Sequence, residues 1–243
     1  MVGPYLSAYE EAAHSVMSPP QVGVIFDMDG VLVDSADAHR RAWQQLGEET
    51  GTPFSAALFQ RTFGQGNASI IPQWLGGDVA DERLQQLDAR KESIYRDFAR
   101  EGAVRVYARV RELLNELRQA GASVAIASSG PRENVALLID VIGVSGRIDA
   151  VVTAEDVRNG KPHPQAFLTA AERLRLPPAR CAVIEDSVHG IEAARRAGML
   201  AVAVLTSTPR DQLVAAGAEV MVGEVGDLSV TELLESLNRR THR

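Results

Sequence analysis

The sequence predicts a doubly wound α/β fold, in which helices cover both faces of a parallel β-sheet. From residue 123 onward, short apolar runs rich in β-branched residues recur about every 20 to 30 residues, and the segments between them have helical spacing. Continuous apolar runs of this kind are typical of strands that are buried on both faces of a sheet. The six predicted strands are Val22–Phe26, Val124–Ala127, Ile148–Val152, Cys181–Ile184, Ala201–Leu205 and Val220–Val222.

A long interval of about 95 residues separates the first predicted strand from the second, far more than one crossover connection needs. We therefore expect an all-α subdomain to be inserted after the first strand, at residues 36–104. Residues 21–35 and 105–243 would form the α/β core, and residues 1–20 an N-terminal tail. The predicted helices of the insert are Asp37–Glu49, Ala56–Thr62, Ser69–Trp74 and Asp81–Arg100, and the helix Arg109–Gln119 returns the chain to the core.

Composition excludes several classes of protein. Acidic residues outnumber basic residues, 32 to 25, and the basic residues are scattered, so we expect no nucleic-acid partner. No run of about 18 apolar residues is present, which predicts no membrane span. The start of the chain lacks the features of a secretory signal, which favours a cytoplasmic protein. The single cysteine, Cys181, excludes an internal disulfide and a cysteine-rich zinc site.

Polar side chains follow four of the predicted strands, at the edge where ligands bind in open parallel sheets. Four carboxylates in one cleft would repel each other unless a cation neutralised them, and oxygen ligands of this kind suit Mg²⁺. A bound Mg²⁺ is commonly coordinated by phosphate oxygens of the substrate as well as by the protein, so a small phosphorylated metabolite is the expected partner. The residues are Asp27, Asp29, Ser128, Ser129, Lys161, Glu185 and Asp186.

These residues resemble the four motifs of the haloacid dehalogenase-like superfamily. The segment Asp27-x-Asp29-Gly30-Val31, then Ser128, Lys161 and the pair Glu185-Asp186, match those motifs in order and spacing across residues 22–205. The position of the helical insert resembles the α-helical cap of the branch that includes β-phosphoglucomutase and phosphoglycolate phosphatase. The resemblance implies a Rossmann-like core with a helical cap domain.

The resemblance also implies a role for each motif residue. Asp27 would attack phosphorus and carry an aspartyl-phosphate, and Asp29 would act as general acid and base. Ser128 would bind a phosphoryl oxygen, and Lys161 would offset transition-state charge. Mg²⁺ would be held by the Asp27 carboxylate, the Asp29 carbonyl and Asp186, with Glu185 as a ligand directly or through water. Because dehalogenases lack the second aspartate, its presence favours phosphoryl transfer.

Two residues of the insert strengthen the resemblance. His39 follows Asp27 by twelve residues, as the hinge histidine of β-phosphoglucomutase does, and Lys91 matches a cap lysine of that enzyme. We expect both to contact the substrate. Lys91 lies on the apolar stripe of its predicted helix, and the alternative interpretation is a lysine that snorkels to water at the edge of the stripe.

Other positions depart from the mutase pattern. Asn67 stands where the mutase has an arginine that holds a second phosphate, and an amide cannot make that charged, bidentate contact. We expect Gln65 and Asn67 to bind substrate hydroxyls, although Gly64 and Gly66 would equally account for the loop. Ser129 and Arg132, at the start of the helix after the second core strand, are also expected to bind substrate.

The predicted function is therefore a Mg²⁺-dependent phosphatase acting on a small phosphomonoester, a sugar or polyol phosphate. The alternative is a phosphosugar mutase of the β-phosphoglucomutase kind. A third reading is a non-catalytic protein that binds a phosphorylated ligand or receives a phosphoryl group, although receiver domains lack both the insert and the second aspartate. The oligomeric state is left open by the sequence.

Overall fold

The computed structural model describes residues 22–62 and 65–241, so the predicted N-terminal tail lies outside the described residues. The strands of this part are β1 (Gly23–Phe26), β2 (Val33–Asp34), β3 (Arg105–Val106), β4 (Ser123–Ala127), β5 (Ala150–Val152), β6 (Cys181–Glu185), β7 (Leu200–Val204) and β8 (Val220–Val222). Six of them form one parallel sheet in the order β5-β4-β1-β6-β7-β8, and β2 pairs with β3. The predicted doubly wound α/β fold is confirmed.

The helices of the described part lie in the insert and on both faces of the sheet. They are α1 (Ala36–Thr50), α2 (Ala56–Thr62), α3 (Asn67–Leu75), α4 (Asp81–Arg100), α5 (Val110–Gln119), α6 (Arg132–Ile142), α7 (Gln165–Leu174), α8 (Val188–Arg196), α9 (Arg210–Ala216) and α10 (Val230–Thr241). Successive residues of β1 pack on opposite faces, because side chains alternate along a strand. Phe26 belongs to the hydrophobic cluster that includes Leu114 of α5, whereas Ile25 belongs to the one that includes Phe167 of α7.

The central strand β1 determines where the chemistry-bearing residues lie. It pairs in parallel with β4 on one side and β6 on the other, so that Phe26 is opposite both Ile126 and Ile184. The hydrogen bonding between β1 and β6 continues one residue beyond β1, because the backbone amide of Asp27 donates to the Ile184 carbonyl at 3.0 Å. The carboxyl ends of these strands therefore meet at one edge of the sheet.

The helices α1–α4, residues 36–100, lie between β2 and β3, and we call them the cap. The two short strands are antiparallel, with Val33 opposite Val106, and they bring the two connections to the cap together. Aromatic rings fill its interior: Trp43 stacks on Phe54 at 4.7 Å between centroids and contacts the edge of Trp74. The strands β2 and β3 were not predicted, because two residues are too few to show an apolar period.

Several predicted boundaries differ from the observed ones by one or two residues. The helix predicted from Arg109 begins at Val110, because Arg109 adopts a left-handed backbone conformation with φ of 58°. The third core strand begins at Ala150, after a short 3₁₀ turn over Ser145–Arg147. Among the described residues, no helix is long and apolar enough to cross a membrane.

Candidate active site

Three carboxylates meet at the carboxyl ends of β1 and β6. Asp27 follows β1, Glu185 ends β6, and Asp186 comes directly after it. Because the two strands are neighbours in the sheet, one carboxylate oxygen from each residue lies within 4.8 Å of the others. All three residues are buried. We call Asp27, Glu185 and Asp186 the acidic cluster.

Lys161 neutralises part of the acidic cluster. Its ammonium Nζ is 2.6 Å from Asp27 Oδ1 and 2.7 Å from Glu185 Oε1, and its side chain is 8% exposed. The second oxygen of Glu185 accepts hydrogen bonds from the backbone amides of Asp186 and Ser187, both at 2.7 Å. Both oxygens of Glu185 are thus engaged, and this side chain fixes Lys161 and the turn that leads into α8.

The protonation of the cluster follows from its burial. Burial raises the pKa of Asp27 to about 7, although the Lys161 charge opposes the shift. Burial and the Glu185 charge also raise the pKa of Asp186 well above its ordinary value. Burial acts in the same direction on Glu185, but the ion pair with Lys161 outweighs it and lowers the pKa of that carboxyl. A divalent cation between Asp27 and Asp186 would offset this crowding of negative charge, and hard oxygen ligands suit Mg²⁺.

Asp29 lies in the turn after β1, and its carboxylate contacts residues at the start of the cap. The Ser35 hydroxyl donates to Asp29 Oδ1, and His39 Nε2 is 3.9 Å from the same oxygen. Burial would raise the pKa of Asp29, but the contacts with His39 and Ser35 outweigh it and lower that pKa. The Asp29 side chain is therefore ionised at neutral pH in this arrangement, and it is not one of the three carboxylates of the acidic cluster.

Lys91 and His39 lie next to each other in the cap. Lys91 Nζ is 2.8 Å from His39 Nδ1 and 2.8 Å from Glu92 Oε1, and the lysine side chain is 2% exposed. The snorkelling interpretation of Lys91 is therefore wrong, because it requires the ammonium to be in water. An ammonium only donates, so His39 Nδ1 accepts, and Nε2 of the neutral ring carries the proton towards Asp29. Burial and the Lys91 charge lower the pKa of His39, which favours this neutral form.

Glu92 connects the cap to the core. Besides Lys91, its carboxylate accepts hydrogen bonds from Asn67 Nδ2 at 2.6 Å and from the side-chain amide of Asn134. Asn134 lies on α6, which follows the strand that carries Ser128. Sequence reasoning missed Glu92 and Asn134; the signal for Glu92 was its position directly after Lys91.

Ser128 lies where the sequence predicted, at the end of β4. Its hydroxyl oxygen accepts the Gly130 amide at 2.9 Å, which leaves its own O–H to donate to another acceptor. The other predicted substrate residues of this loop lie at the surface. Ser129 is exposed, and the Arg132 guanidinium is exposed and lies 3.4 Å from Asp156.

The hydrogen bonds of the Gln65 side chain lie within the cap and do not connect it to the acidic cluster. Its side chain is exposed, and its Oε1 accepts from Ser69 at 3.2 Å and from Gln73 at 3.1 Å, both on α3. The predicted bond to a substrate hydroxyl thus competes with contacts inside the cap. Of the two amides predicted to bind substrate, only Asn67 joins the network around Glu92.

Two further polar residues at the sheet edge were missed. Thr206 Oγ1 donates to the Gly30 carbonyl at 2.6 Å, and the Ser207 hydroxyl donates to Asp186 Oδ2. Both follow the fifth predicted strand, so the rule that located the other residues, polar groups directly after an apolar run, would have found them. They fix the turn after β1 against Asp186.

Gly190 is required at the start of α8, and replacing it with alanine is expected to destabilise the protein. An added Cβ would lie 1.8 Å from Glu185 Oε1, and that carboxylate cannot move away without losing Lys161 and the two amides. We expect Gly190→Ala to lower the free energy of unfolding by about 1–3 kcal/mol. Denaturant unfolding measures the loss, and Gly77→Ala, at a glycine with open space, is the control. Equal stability of the two variants would contradict this packing.

Comparison with known protein families gives a match over most of the chain. Residues 22–198 match the model of the haloacid dehalogenase-like hydrolases. The chain is 35% identical over 218 residues to the chloroplastic protein SUPPRESSOR OF QUENCHING 1 of Arabidopsis thaliana, with 87% of this chain and 20% of that protein covered. It is 32% identical over 214 residues to the chloroplastic 5-amino-6-(5-phospho-D-ribitylamino)uracil phosphatase of the same plant, with 87% and 57% covered. The chain thus spans only part of the length of these two relatives.

Another relative is similar over nearly its full length. The β-phosphoglucomutase of Bacillus subtilis is 31% identical over 218 residues, which cover 87% of this chain and 93% of the mutase. A hydrolase structure from Pseudomonas syringae has a TM-score of 0.76 at 26% identity, covering 90% of this chain and 99% of that one. The β-phosphoglucomutase structure from Clostridium difficile has a TM-score of 0.79 at 24% identity, with 91% and 99% covered, and shares the fold.

The predicted superfamily and the predicted enzyme class, a phosphatase, agree with the family match and with the named phosphatase among the relatives. The acidic cluster with Lys161 lies at the edge of the sheet where the family motifs of the sequence converge. The chain belongs to the haloacid dehalogenase-like hydrolase family.

Proposed function

We propose that this protein is a Mg²⁺-dependent phosphatase that hydrolyses a small phosphomonoester, a sugar or polyol phosphate, through an aspartyl-phosphate on Asp27. The observation that carries the proposal is the acidic cluster with Lys161 at 2.6 Å from Asp27. A buried carboxylate beside a buried ammonium presents a nucleophile together with a fixed positive charge for a transferring phosphoryl group.

The reaction consists of two displacements at phosphorus. In the first, an Asp27 carboxylate oxygen forms a bond to phosphorus, the bond from phosphorus to the ester oxygen breaks, and Asp29, after taking up a proton from solvent, donates it to that oxygen. In the second, Asp29, now ionised, takes a proton from water, the water oxygen bonds to phosphorus, and the bond to Asp27 breaks. Lys161 and the Ser128 hydroxyl stabilise the phosphoryl oxygens in both steps.

Mg²⁺ would be held by the Asp27 and Asp186 carboxylates and the Asp29 carbonyl. When bound, it supplies positive charge next to the phosphoryl oxygens. Glu185 is proposed to act on this site indirectly, because Lys161 and two backbone amides already occupy its oxygens. Its role is then to keep Lys161 in place between itself and Asp27.

We further propose that residues 36–104 form a cap domain on a core of residues 21–35 and 105–243. Glu92 and Arg96 of α4 contact the core helix α6 through Asn134 and Glu133, so the cap lies against the core next to Ser128. A cap in this position would exclude water from the phosphoryl group until the substrate is bound.

The second candidate is a phosphosugar mutase, which the similarity to the Bacillus subtilis β-phosphoglucomutase favours. A mutase must bind a bisphosphate in two orientations, and it therefore needs a cationic group far from Asp27. Asn67 carries no charge, and the two hydrogen-bond partners of its side-chain nitrogen, Asp88 and Glu92, are both carboxylates. The phosphatase is for this reason the better supported of the two.

The test is phosphate release from a panel of sugar, polyol and glycolate phosphates, with Mg²⁺ and with excess EDTA. We expect release that depends on the metal. A parallel reaction contains β-glucose 1-phosphate with an α-glucose 1,6-bisphosphate primer, and formation of glucose 6-phosphate there without release in the panel would establish the mutase instead. If neither activity is observed, the proposal is overturned, and a protein that only binds phosphorylated ligands is favoured instead.

A further inference from the structure

Two hydroxyl groups that follow strand β7 contact the part of the site proposed to hold Mg²⁺. They belong to Thr206 and Ser207, and β7 pairs in parallel with β6, with Ala203 opposite Glu185. This pairing brings both residues to the edge of the sheet that carries the acidic cluster. Neither residue belongs to the four motifs, and neither has a role in the two displacements at phosphorus.

Ser207 is the hydrogen-bond donor to the Asp186 carboxylate. Its hydroxyl contacts Asp186 Oδ2 and lies 3.1 Å from the Asp186 carbonyl oxygen. Within the described part of the chain, no other group donates a hydrogen bond to this carboxylate, and Lys161 pairs with Asp27 and Glu185 instead. The orientation of Asp186 beside two other carboxylates therefore depends on the Ser207 hydroxyl.

The contacts of Asp186 also show which of its oxygens is left for a cation. A Cβ added at Gly30 would lie 1.9 Å from Asp186 Oδ2 and 3.3 Å from Oδ1, so Oδ2 packs against the turn after β1. Oδ2 is thus held between the Gly30 backbone and the Ser207 hydroxyl. No hydrogen-bond donor among residues 22–62 and 65–241 contacts Oδ1, which leaves that oxygen for a metal ion.

Thr206 fixes the turn that carries the proposed carbonyl ligand. Its Oγ1 donates to the Gly30 carbonyl oxygen at 2.6 Å, and the Gly30 amide donates to the Val33 carbonyl at 2.7 Å. Gly30 has a φ of 78°, a left-handed conformation that glycine adopts without strain. Hydrogen bonds therefore hold the peptide groups on both sides of Gly30, and the first of these groups contains the Asp29 carbonyl.

We propose that Ser207 and Thr206 are positioning residues of the Mg²⁺ site, which hold the Asp186 carboxylate and the Asp29 carbonyl in place before the ion binds. The inference rests on the Mg²⁺ site of the proposed function. Mg²⁺ requires near-ideal octahedral geometry, so ligands that are already oriented bind it more tightly than ligands that must first be ordered. Loss of a hydrogen bond to a metal ligand typically lowers metal affinity by about 10–100-fold.

The test is the affinity of the full chain for Mg²⁺ in the absence of substrate. The thermal unfolding temperature is followed against MgCl₂ concentration, with NaCl at equal ionic strength as the reference, and the stabilisation gives the dissociation constant. In Ser207→Ala we expect the dissociation constant to rise by about tenfold, because the carboxylate loses its donor. In Thr206→Val, which keeps the shape of the side chain, we expect a rise of roughly threefold or more.

Three controls separate the hydroxyl group from a purely structural effect. Ser207→Thr keeps the hydroxyl and should stay within about twofold of the wild-type dissociation constant. Ser236→Ala removes a hydroxyl that donates to the Glu232 carbonyl within α10, and it should leave Mg²⁺ affinity unchanged. At saturating Mg²⁺, phosphate release by Ser207→Ala should return to within about threefold of wild type, because Ser207 acts through a metal ligand. Since Ser207 is exposed, its replacement leaves the core unchanged.

The outcomes separate this inference from the function on which it rests. Stabilisation of the wild-type protein by Mg²⁺, with an unchanged dissociation constant in Ser207→Ala, would overturn the role of Ser207 and leave the Mg²⁺ site standing. An equal loss of affinity in Ser207→Thr would overturn it as well, because the hydroxyl would not be responsible. An unchanged constant in Thr206→Val would overturn the part assigned to Thr206. If Mg²⁺ stabilises the wild-type protein no more than NaCl does, the Mg²⁺ site itself is overturned.

Discussion

The Asp27→Asn variant is expected to lose phosphate release by at least about 10³-fold. An amide is a poor nucleophile and cannot form the aspartyl-phosphate, so both displacements fail together. The substitution is nearly isosteric, and it removes a carboxyl whose pKa burial has raised to about 7. We therefore expect the variant to unfold at a temperature similar to that of the wild-type protein. Phosphate release and thermal unfolding are measured on the same preparations.

The control for this experiment is Asp37→Asn, which makes the same chemical change on the exposed side of α1. It should keep the activity of the wild-type protein. Retained turnover in Asp27→Asn would remove Asp27 from the role of nucleophile. Loss of activity together with loss of the thermal transition would instead show that the variant fails to fold. Ligand binding by the variant shows that it is folded, so that a loss of activity can be assigned to the missing carboxylate.

The Lys161→Met variant is expected to be less stable by about 3–5 kcal/mol at pH 7 in the absence of Mg²⁺. Lys161 is the cation that contacts the acidic cluster among the described residues, and its removal leaves Asp27 and Glu185 buried without a positive charge beside them. Activity should fall as well, by about 10²–10³-fold, because a fixed positive charge near the phosphoryl oxygens is lost. Denaturant unfolding and phosphate release measure the two effects.

The stability loss in Lys161→Met should depend on pH in a defined direction. Although burial acts against it, Lys161 lowers the pKa of Glu185 below 4.5, so this contribution is present above that pH and is lost as the pH falls through the folded value. Asp27 and Glu185 likewise raise the pKa of Lys161 above 10.5 despite its burial, so the ion pairs persist up to alkaline pH. The Glu185 part of the difference from wild type should therefore be present above about pH 5 and narrow below pH 4, and the Asp27 part should be added as the pH rises through about 7, where Asp27 ionises.

The control is Arg158→Met, which removes an exposed positive charge three residues before Lys161. We expect little change in its stability at any pH. If Lys161→Met were equally destabilised at pH 4 and pH 7, the loss would come from the contact of the Lys161 ammonium with the Phe167 ring, 5.0 Å from its centroid, and not from the ion pairs. Added Mg²⁺ should restore part of the stability at pH 7, because the cation replaces the missing charge.

Sequence reasoning succeeded where one physical property decided the outcome. Burial on both faces of the sheet produced the continuous apolar runs of β1, β4 and β6, and parallel pairing required that the residues after them share an edge. The helix Asp81–Arg100 was predicted with its observed limits, because its apolar period extends over its whole length. Periodicity alone did not reveal the left-handed Arg109 or the two-residue strands β2 and β3, which depend on tertiary contacts.

By itself, the sequence determined the doubly wound core and the helical insert, because apolar patterning shows where strands and helices lie. It also predicted that Asp27, Lys161, Glu185 and Asp186 share one edge of the sheet, because each follows or ends a predicted strand or its loop. Only the tertiary structure decided how the cap residues are used. It buries Lys91 against Glu92, joins Asn67 to Asp88 and leaves Gln65 and Arg132 exposed. The reason is that Asn67 and Asp88 are 21 residues apart, and Lys91 and His39 are 52 apart, so the packing of distant segments, and not residue type alone, selects these partners.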